Sequence, residues 1–185
     1  MPALDQWELK ILDWIVATFH CGFLDAVMPK ISFLGNGGWF WIVLVLLLMI
    51  RKRDRQTALT AALALLFSLL VANVVLKPLI GRVRPYDLDA AIHLTIPPPA
   101  GYSFPSGHAQ ASFAAATAIY RNKKKAGKAA LLLASLIALS RLYLCLHYPS
   151  DVLAGALFGI ILGIIADYLV NRLKKKRRPP KRKSR

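Results

Sequence analysis

Long apolar runs separated by short polar ones organise this chain. The first covers 24–50 and is interrupted by Gly35-Asn36-Gly37-Gly38, which predicts a kink. The others cover 57–76, 107–120, 126–146 and 152–170. A helix needs about 20 apolar residues to cross a bilayer, and the 107–120 run is short for that. It is also rich in small residues (Ala109, Ala111, Ser112 and 114–118), which let neighbouring backbones approach, so it is expected inside the bundle. Gly155, Gly159 and Gly163 recur every fourth residue in the last run and predict a smooth stripe for helix contact. Ahead of the first run, Leu4, Trp7, Ile11, Trp14, Ile15 and Phe19 alternate at helical spacing with Asp5, Glu8, Lys10 and Asp13. That stretch is too polar to span; it reads as a helix lying in the membrane interface on its tryptophans, or as a packing helix. The expected fold is all-α and integral to a membrane: about five transmembrane helices plus an N-terminal interfacial amphipathic helix. Residues 1–173 form one domain, and 174–185 are expected to be a disordered basic tail.

Charge sharpens this picture. The chain is 56% hydrophobic yet carries a formal net charge of +16. Nineteen of its 25 Lys and Arg residues fall in three blocks, at 51–55, 121–128 and 172–185. Each block lies between or after apolar runs, as the positive-inside rule expects of cytoplasmic segments, and the tail suits anionic headgroups. Nucleic acid, the other common partner of a basic chain, is set aside on that ground. Five spans with the blocks in the cytoplasm put the N-terminus outside and the C-terminus inside. The segment 77–106 and the turn 147–151 then share the outer face. Cys21 and Cys145 form no metal or redox spacing, and Cys145 reads as a packing residue. Residues 1–10 lack a basic leader followed by a cleavage site, so no removable signal peptide is expected.

Three polar clusters lie at the edges of these runs: Lys77 with Arg84-Pro85, then Pro105-Ser106-Gly107-His108, then Ser140-Arg141 with His147 and Asp151. Ionisable groups concentrated beside a bilayer point to function. Asp151 follows His147 by four at a helix start marked by Pro149, so its carboxylate can hold one imidazole nitrogen and leave the other as a lone-pair donor. The plain alternative is an Asp capping its helix beside an interfacial His. Ser106 and Gly107 open a helix whose first N–H groups can seat an anion, with the Ser106 hydroxyl as a candidate cap. His108 would stand beside that anion as a general acid. Lys77, Arg84 and Arg141 supply cations suited to phosphate oxygens. Arg141 is expected within a helical run about a turn and a half from His147; alternatively it pairs with Asp151 or snorkels to headgroups. Arg82 reads as a headgroup contact.

Other chemistries fit these residues less well. Asp87, Asp89 and Asp151 make a thin oxygen set for magnesium, and the three cations would oppose a zinc ion on two histidines and an aspartate. A serine hydrolase would need Ser106 and His108, adjacent in sequence, to face each other.

Lys77-x6-Arg84-Pro85, Pro105-Ser106-Gly107-His108 and Ser140-Arg141-x5-His147-x3-Asp151 resemble, in order and intact, the three signature motifs of the type 2 phosphatidic acid phosphatase (PAP2) superfamily, over residues 77–151. The flanking hydropathy is similar to that of small bacterial members. The resemblance implies that His147 is the nucleophile and forms a phosphohistidine, Asp151 orients it and His108 protonates the leaving group. Lys77, Arg84, Ser106, Gly107 and Arg141 would hold the phosphate, without a metal or other cofactor. It implies a lipid phosphate or diphosphate substrate and an extracytoplasmic site; undecaprenyl diphosphate leads, followed by phosphatidylglycerol phosphate or phosphatidate. The polyprenyl-diphosphatase branch often carries Asp where this chain has Gly107. The soluble haloperoxidase relatives lack such spans. A lipid phosphotransferase, a non-catalytic lipid-phosphate-binding protein and an adaptor acting through its tail are the remaining readings.

Overall fold

The computed structural model describes residues 3–92 and 94–176, and every regular element among them is helical. Nine α-helices follow in order: α1 (Ala3–Phe19), α2 (Gly22–Leu34), α3 (Trp39–Ile50), α4 (Arg55–Leu69), α5 (Lys77–Ile80), α6 (Pro85–Leu88), α7 (Gly107–Asn122), α8 (Lys124–Tyr143) and α9 (Pro149–Lys176). The glycine-rich interruption is a break: a 3-10 turn at Asn36–Gly38 bends α3 by 47° from α2. Gly37 and Gly38 take φ of 58° and 71°, the left-handed region that a Cβ disfavours. Between α4 and α5 the helix widens into a π-helical stretch, Leu70–Leu76. Such stretches recur where function needs a side chain re-aimed, and this one delivers Lys77.

The core is built on α7. Ala109, Ala114, Ala115, Ala116 and Ala118 are fully buried against α4, α8 and α9. The glycine stripe of α9 makes the closest of these contacts. A Cβ on Gly155, Gly159 or Gly163 would stand 2.6, 2.4 or 2.8 Å from the carbonyl oxygens of Ser106, Gln110 and Ala114. The expected stripe is therefore a backbone-to-backbone seam, and α7 is an interior helix.

Lys52–Leu88, Lys124–Tyr143 and Pro149–Lys176 are long and apolar enough to cross a membrane, and the bent α2–α3 pair makes a fourth. The remaining expected span, third in chain order, is α7, which has 16 residues. It rises about 24 Å against a hydrocarbon layer of about 30 Å, and its neighbours enclose it. Two helix ends differ from expectation. α8 stops at Tyr143, because Cys145 adopts a φ of 51° and the chain turns through 144–148. α9 runs on to Lys176, into the residues expected as tail, and Lys174 donates to Gln56 Oε1 at 2.5 Å. The rest of the tail, 177–185, lies outside the described residues.

The polar ends of the bundle divide cleanly. Asp54 pairs with Lys123, Asp167 accepts from Arg121, Asn122 and Asn171, and Gln56 reaches Asn171. Basic segments that are far apart in sequence are thus gathered at one end, and the three chemical clusters meet at the other. α1 exposes Leu4, Trp7, Trp14 and Phe19 while Asp5 and Glu8 are buried. Leu9 and Leu12 are also buried, packed with Cys145 and Tyr148, so α1 is a packing helix that turns large apolar side chains outward on its other side.

Candidate active site

A cavity of about 450 Å³ opens between the α2–α3 break, α4 with its π-helical stretch, the start of α7 and the end of α8. Lys77, Arg84, Gly107, His108, Arg141 and His147 all line it. Its other wall is apolar, formed by Ile42, Leu65, Leu66, Leu69 and Ala72. Ile42, Leu66 and Leu69 also reach the exposed surface of the helices. The cavity is cationic at one side and greasy at the other.

His147 sits in the turn before α9, 2% exposed. Arg84 Nη1 lies 3.4 Å from its Nε2. A guanidinium can only donate, so Nε2 must be the lone-pair nitrogen and Nδ1 must carry the proton. Asp151 Oδ2 lies 3.6 Å from Nδ1. The Ser103 hydroxyl fills the gap, 3.4 Å from Nδ1 while donating to Asp151 Oδ2 at 2.5 Å. The orienting contact therefore runs largely through Ser103. Asp151 Oδ2 also accepts from the Tyr148 backbone N–H at 3.0 Å, the third helical residue capping its own helix. The capping reading is met directly, while the approach of Asp151 to His147 is a 3.6 Å contact bridged by Ser103. Burial pushes the His147 pKa down to about 4; Asp151 pulls it up, and the Arg141 and Arg84 charges push further down. The ring is neutral at neutral pH.

The three cations have no carboxylate at salt-bridge distance among the described residues. Arg84 donates to the carbonyls of Gly101 (2.7 Å), Leu146 (3.0 Å) and Ala100 (3.3 Å), which straps the 99–103 loop over the site. Arg141 occupies the last turn of α8, 2% exposed, with Nη1 donating to Ser32 Oγ at 2.5 Å and no partner for Nε. It neither pairs with Asp151 nor snorkels. It also shares no helix with His147, because α8 ends between them. Lys77 Nζ lies beside Gly107, 3.8 Å from where a Cβ would stand.

Ser106 occupies the cap position of α7, but its hydroxyl makes no capping bond and is buried without a partner. Its N–H donates instead to the Asp151 carbonyl at 3.0 Å, joining the second cluster to the third. Ser106 and Asp151 are fully buried and do not line the cavity. His108 Nε2 lies 2.8 Å from Asn36 Oδ1, and a Cβ on Gly35 would approach the His108 ring to 2.5 Å. The helix break thus supplies both a partner for His108 and the room its ring needs. Among the described residues no group of three His, Cys, Asp or Glu side chains could hold a metal ion.

The sequence marks Gly35 and Asn36 only as a kink, with no part in the site, and it gives Ser32 and Ser103 no role. Asn36, a polar residue inside an apolar run, was the one visible signal. Arg82 was assigned to headgroups, and the structure overturns this: its side chain is 13% exposed and pairs with Asp5, Glu8 and Asp151.

Known proteins with similar sequences and structures converge on one family. The family model of the PAP2 superfamily matches residues 57–175. An undecaprenyl-diphosphatase of Sulfolobus acidocaldarius is 33% identical over 137 residues, 74% of this chain and 66% of that protein. A decaprenylphosphoryl-5-phosphoribose phosphatase of Mycobacterium tuberculosis is 32% identical over 130 residues, 70% of each. The crystal structure of Aquifex aeolicus LpxE superposes with a TM-score of 0.74 at 30% identity, covering 85% of this chain and 93% of that one.

Proposed function

The chain belongs to the PAP2 superfamily, and from that premise we propose that it is a membrane lipid phosphatase. It removes the terminal phosphate of a lipid phosphate or diphosphate through a phosphohistidine on His147. The observation that carries this reading is a neutral imidazole aiming its free nitrogen among three cations that no carboxylate among the described residues neutralises. A phosphate held by Lys77, Arg84, Arg141 and the first N–H groups of α7, at Gly107 and His108, would face His147 Nε2, with the Ser106 hydroxyl buried behind that helix start. Attack forms the N–P bond as the P–O bond to the lipid breaks, and His108 gives its proton to the departing oxygen. Ser103 and Asp151 hold the Nδ1 proton and stabilise the imidazolium that forms. Water then attacks the phosphohistidine, with His108 taking back a proton, and phosphate leaves. The cations supply the charge stabilisation that a phosphoryl transfer needs.

Undecaprenyl diphosphate is the leading substrate. Two relatives carry polyprenyl lipids in their names, and the apolar cavity wall suits a lipid chain. Phosphatidylglycerol phosphate and phosphatidate stand second. The site is assigned to the extracytoplasmic face and the C-terminus to the cytoplasm, because basic segments gather at the end of the bundle opposite the cavity. α1 is assigned to the interface at the site's own end.

Purified protein in detergent should release phosphate from undecaprenyl diphosphate with a higher kcat/KM than from phosphatidylglycerol phosphate or phosphatidate. A brief reaction should leave acid-labile phosphate on the protein. Turnover should survive a metal chelator. Absence of release from every lipid would refute the function, and loss to chelator with recovery on added metal would refute the mechanism.

A further inference from the structure

Arg82 does not line the cavity, yet among the described residues it is the cation with every guanidinium donor engaged. Its Nε donates to Asp5 Oδ1 at 3.2 Å. Its Nη2 donates to Asp5 Oδ1 at 2.6 Å and to Glu8 Oε2 at 2.5 Å. Its Nη1 donates to Ser150 Oγ at 2.7 Å and to Asp151 Oδ1 at 2.6 Å. All five guanidinium donors are used, and the Tyr148 ring lies 3.9 Å from the guanidinium carbon. Glu8 completes the circuit, accepting from the Ser150 N–H at 2.6 Å and from the Ser150 hydroxyl at 2.9 Å.

We propose that Arg82 is a positioning residue for the His147–Asp151 pair, and that α1 belongs to the catalytic apparatus through Asp5 and Glu8. The proposal rests on the phosphohistidine reading above. Asp151 Oδ2 faces Ser103, the Tyr148 N–H and the imidazole, while Oδ1 is held by Arg82. Both oxygens must be fixed for the carboxylate plane to stay in place. Arg82 anchors Oδ1 to a helix that is otherwise remote from the chemistry. It also carries the only positive charge within salt-bridge distance of Asp5, Glu8 and the outer oxygen of Asp151 among the described residues. Without it, three carboxylates would crowd the first turn of α9 and the acid that serves His147 would reorient.

The clamp acts on the nucleophile and touches no phosphate, so its loss should appear in kcat. With wild type and variants in detergent and undecaprenyl diphosphate as probe, Arg82→Ala should lower kcat about 10- to 100-fold, the usual cost of removing an outer-shell partner, with KM changed less than about twofold. Arg82→Lys should recover part of the loss, and Glu8→Gln should lower kcat a few-fold. In an Asp151→Asn background Arg82→Ala should cost little more, because it acts through Asp151. Wild-type kcat in Arg82→Ala, a change in KM alone, or losses that multiply with Asp151→Asn would overturn the proposal. Should Arg82→Ala fail to fold, Glu8→Gln keeps the size of the side chain and decides: unchanged kcat overturns the proposal. Failure of the wild type on every lipid is a separate result, which removes the phosphatase reading itself.

Discussion

Arg82 and Arg84 stand two residues apart and do opposite work. Arg82 meets three carboxylates and uses every donor on them and on Ser150. Arg84 meets only backbone carbonyls and the free nitrogen of His147. Gly81, at φ 62°, ends α5, and the chain leaves it without helical structure, extended at Arg84. Residues two apart in such a segment need not serve the same neighbourhood. One arginine here is saturated against α1 and α9, and the other, with Lys77 and Arg141, keeps its charge for the cavity. A cation's role is set by whether its neighbours neutralise it. A saturated arginine is scaffold, whereas an unsaturated one inside an apolar bundle is a standing cost that an anion can relieve.

The bluntest way to break this contrast is to remove the group that both sets serve. His147→Ala should lower turnover by about 10⁴-fold or more, as loss of a nucleophile does elsewhere, while lipid binding persists because all three cations remain. Near-wild-type turnover would end the nucleophile assignment. A finer test sets stability against activity. Arg141→Met removes a buried charge that has one hydroxyl partner and an unpaired Nε. It should lower kcat/KM about 10²- to 10³-fold, the scale of losing one charge-stabilising donor, yet raise the melting temperature. Arg82→Met should lower the melting temperature, because it strands three carboxylates. Differential scanning fluorimetry in one detergent would show the opposite signs; shifts in the same direction would erase the distinction between the two arginines.

Much of this was legible from spacing. The glycine stripe of α9, the small-residue character of α7 and the break at 35–38 each follow from local sequence, because each is a helix-surface or backbone property. The eight expected site residues could be named from the sequence because every cluster abuts an apolar run; six of them line the cavity, and Ser106 and Asp151 are buried outside its lining. The pairings across the bundle were not. Asp5 and Glu8 read as polar separators on an amphipathic helix, and nothing local says that they turn inward to meet a cation more than seventy positions away. Ser103 lies just ahead of the second cluster, but its part depends on a 3.6 Å gap between His147 and Asp151 that only the fold creates. Arg141 was expected inside a continuous helix with His147. The left-handed Cys145 breaks that helix, and no residue type there announces it.

The gentlest test concerns the proton on His147. Burial and two nearby guanidinium groups lower its pKa to about 4, against the upward pull of Asp151. An unfolded imidazole titrates near 6.5. The folded pKa is depressed, so the native protein binds fewer protons than the unfolded chain between about 4 and 6.5. The stability linked to this group is full above pH 6.5 and declines as the pH falls through that window. The nucleophile is meanwhile in its reactive form throughout the neutral range. With protein labelled on its histidine rings, the resonance missing from His147→Ala should hold a neutral-imidazole shift from pH 8 down to about 5. Arg141→Met, by removing one of the opposing charges, should move the midpoint upward, and Asp151→Asn should move it downward. A wild-type midpoint near 6.5 would mean that the ring is hydrated and that Arg84 and Arg141 do not face it, and the unsaturated half of the comparison would fail with it.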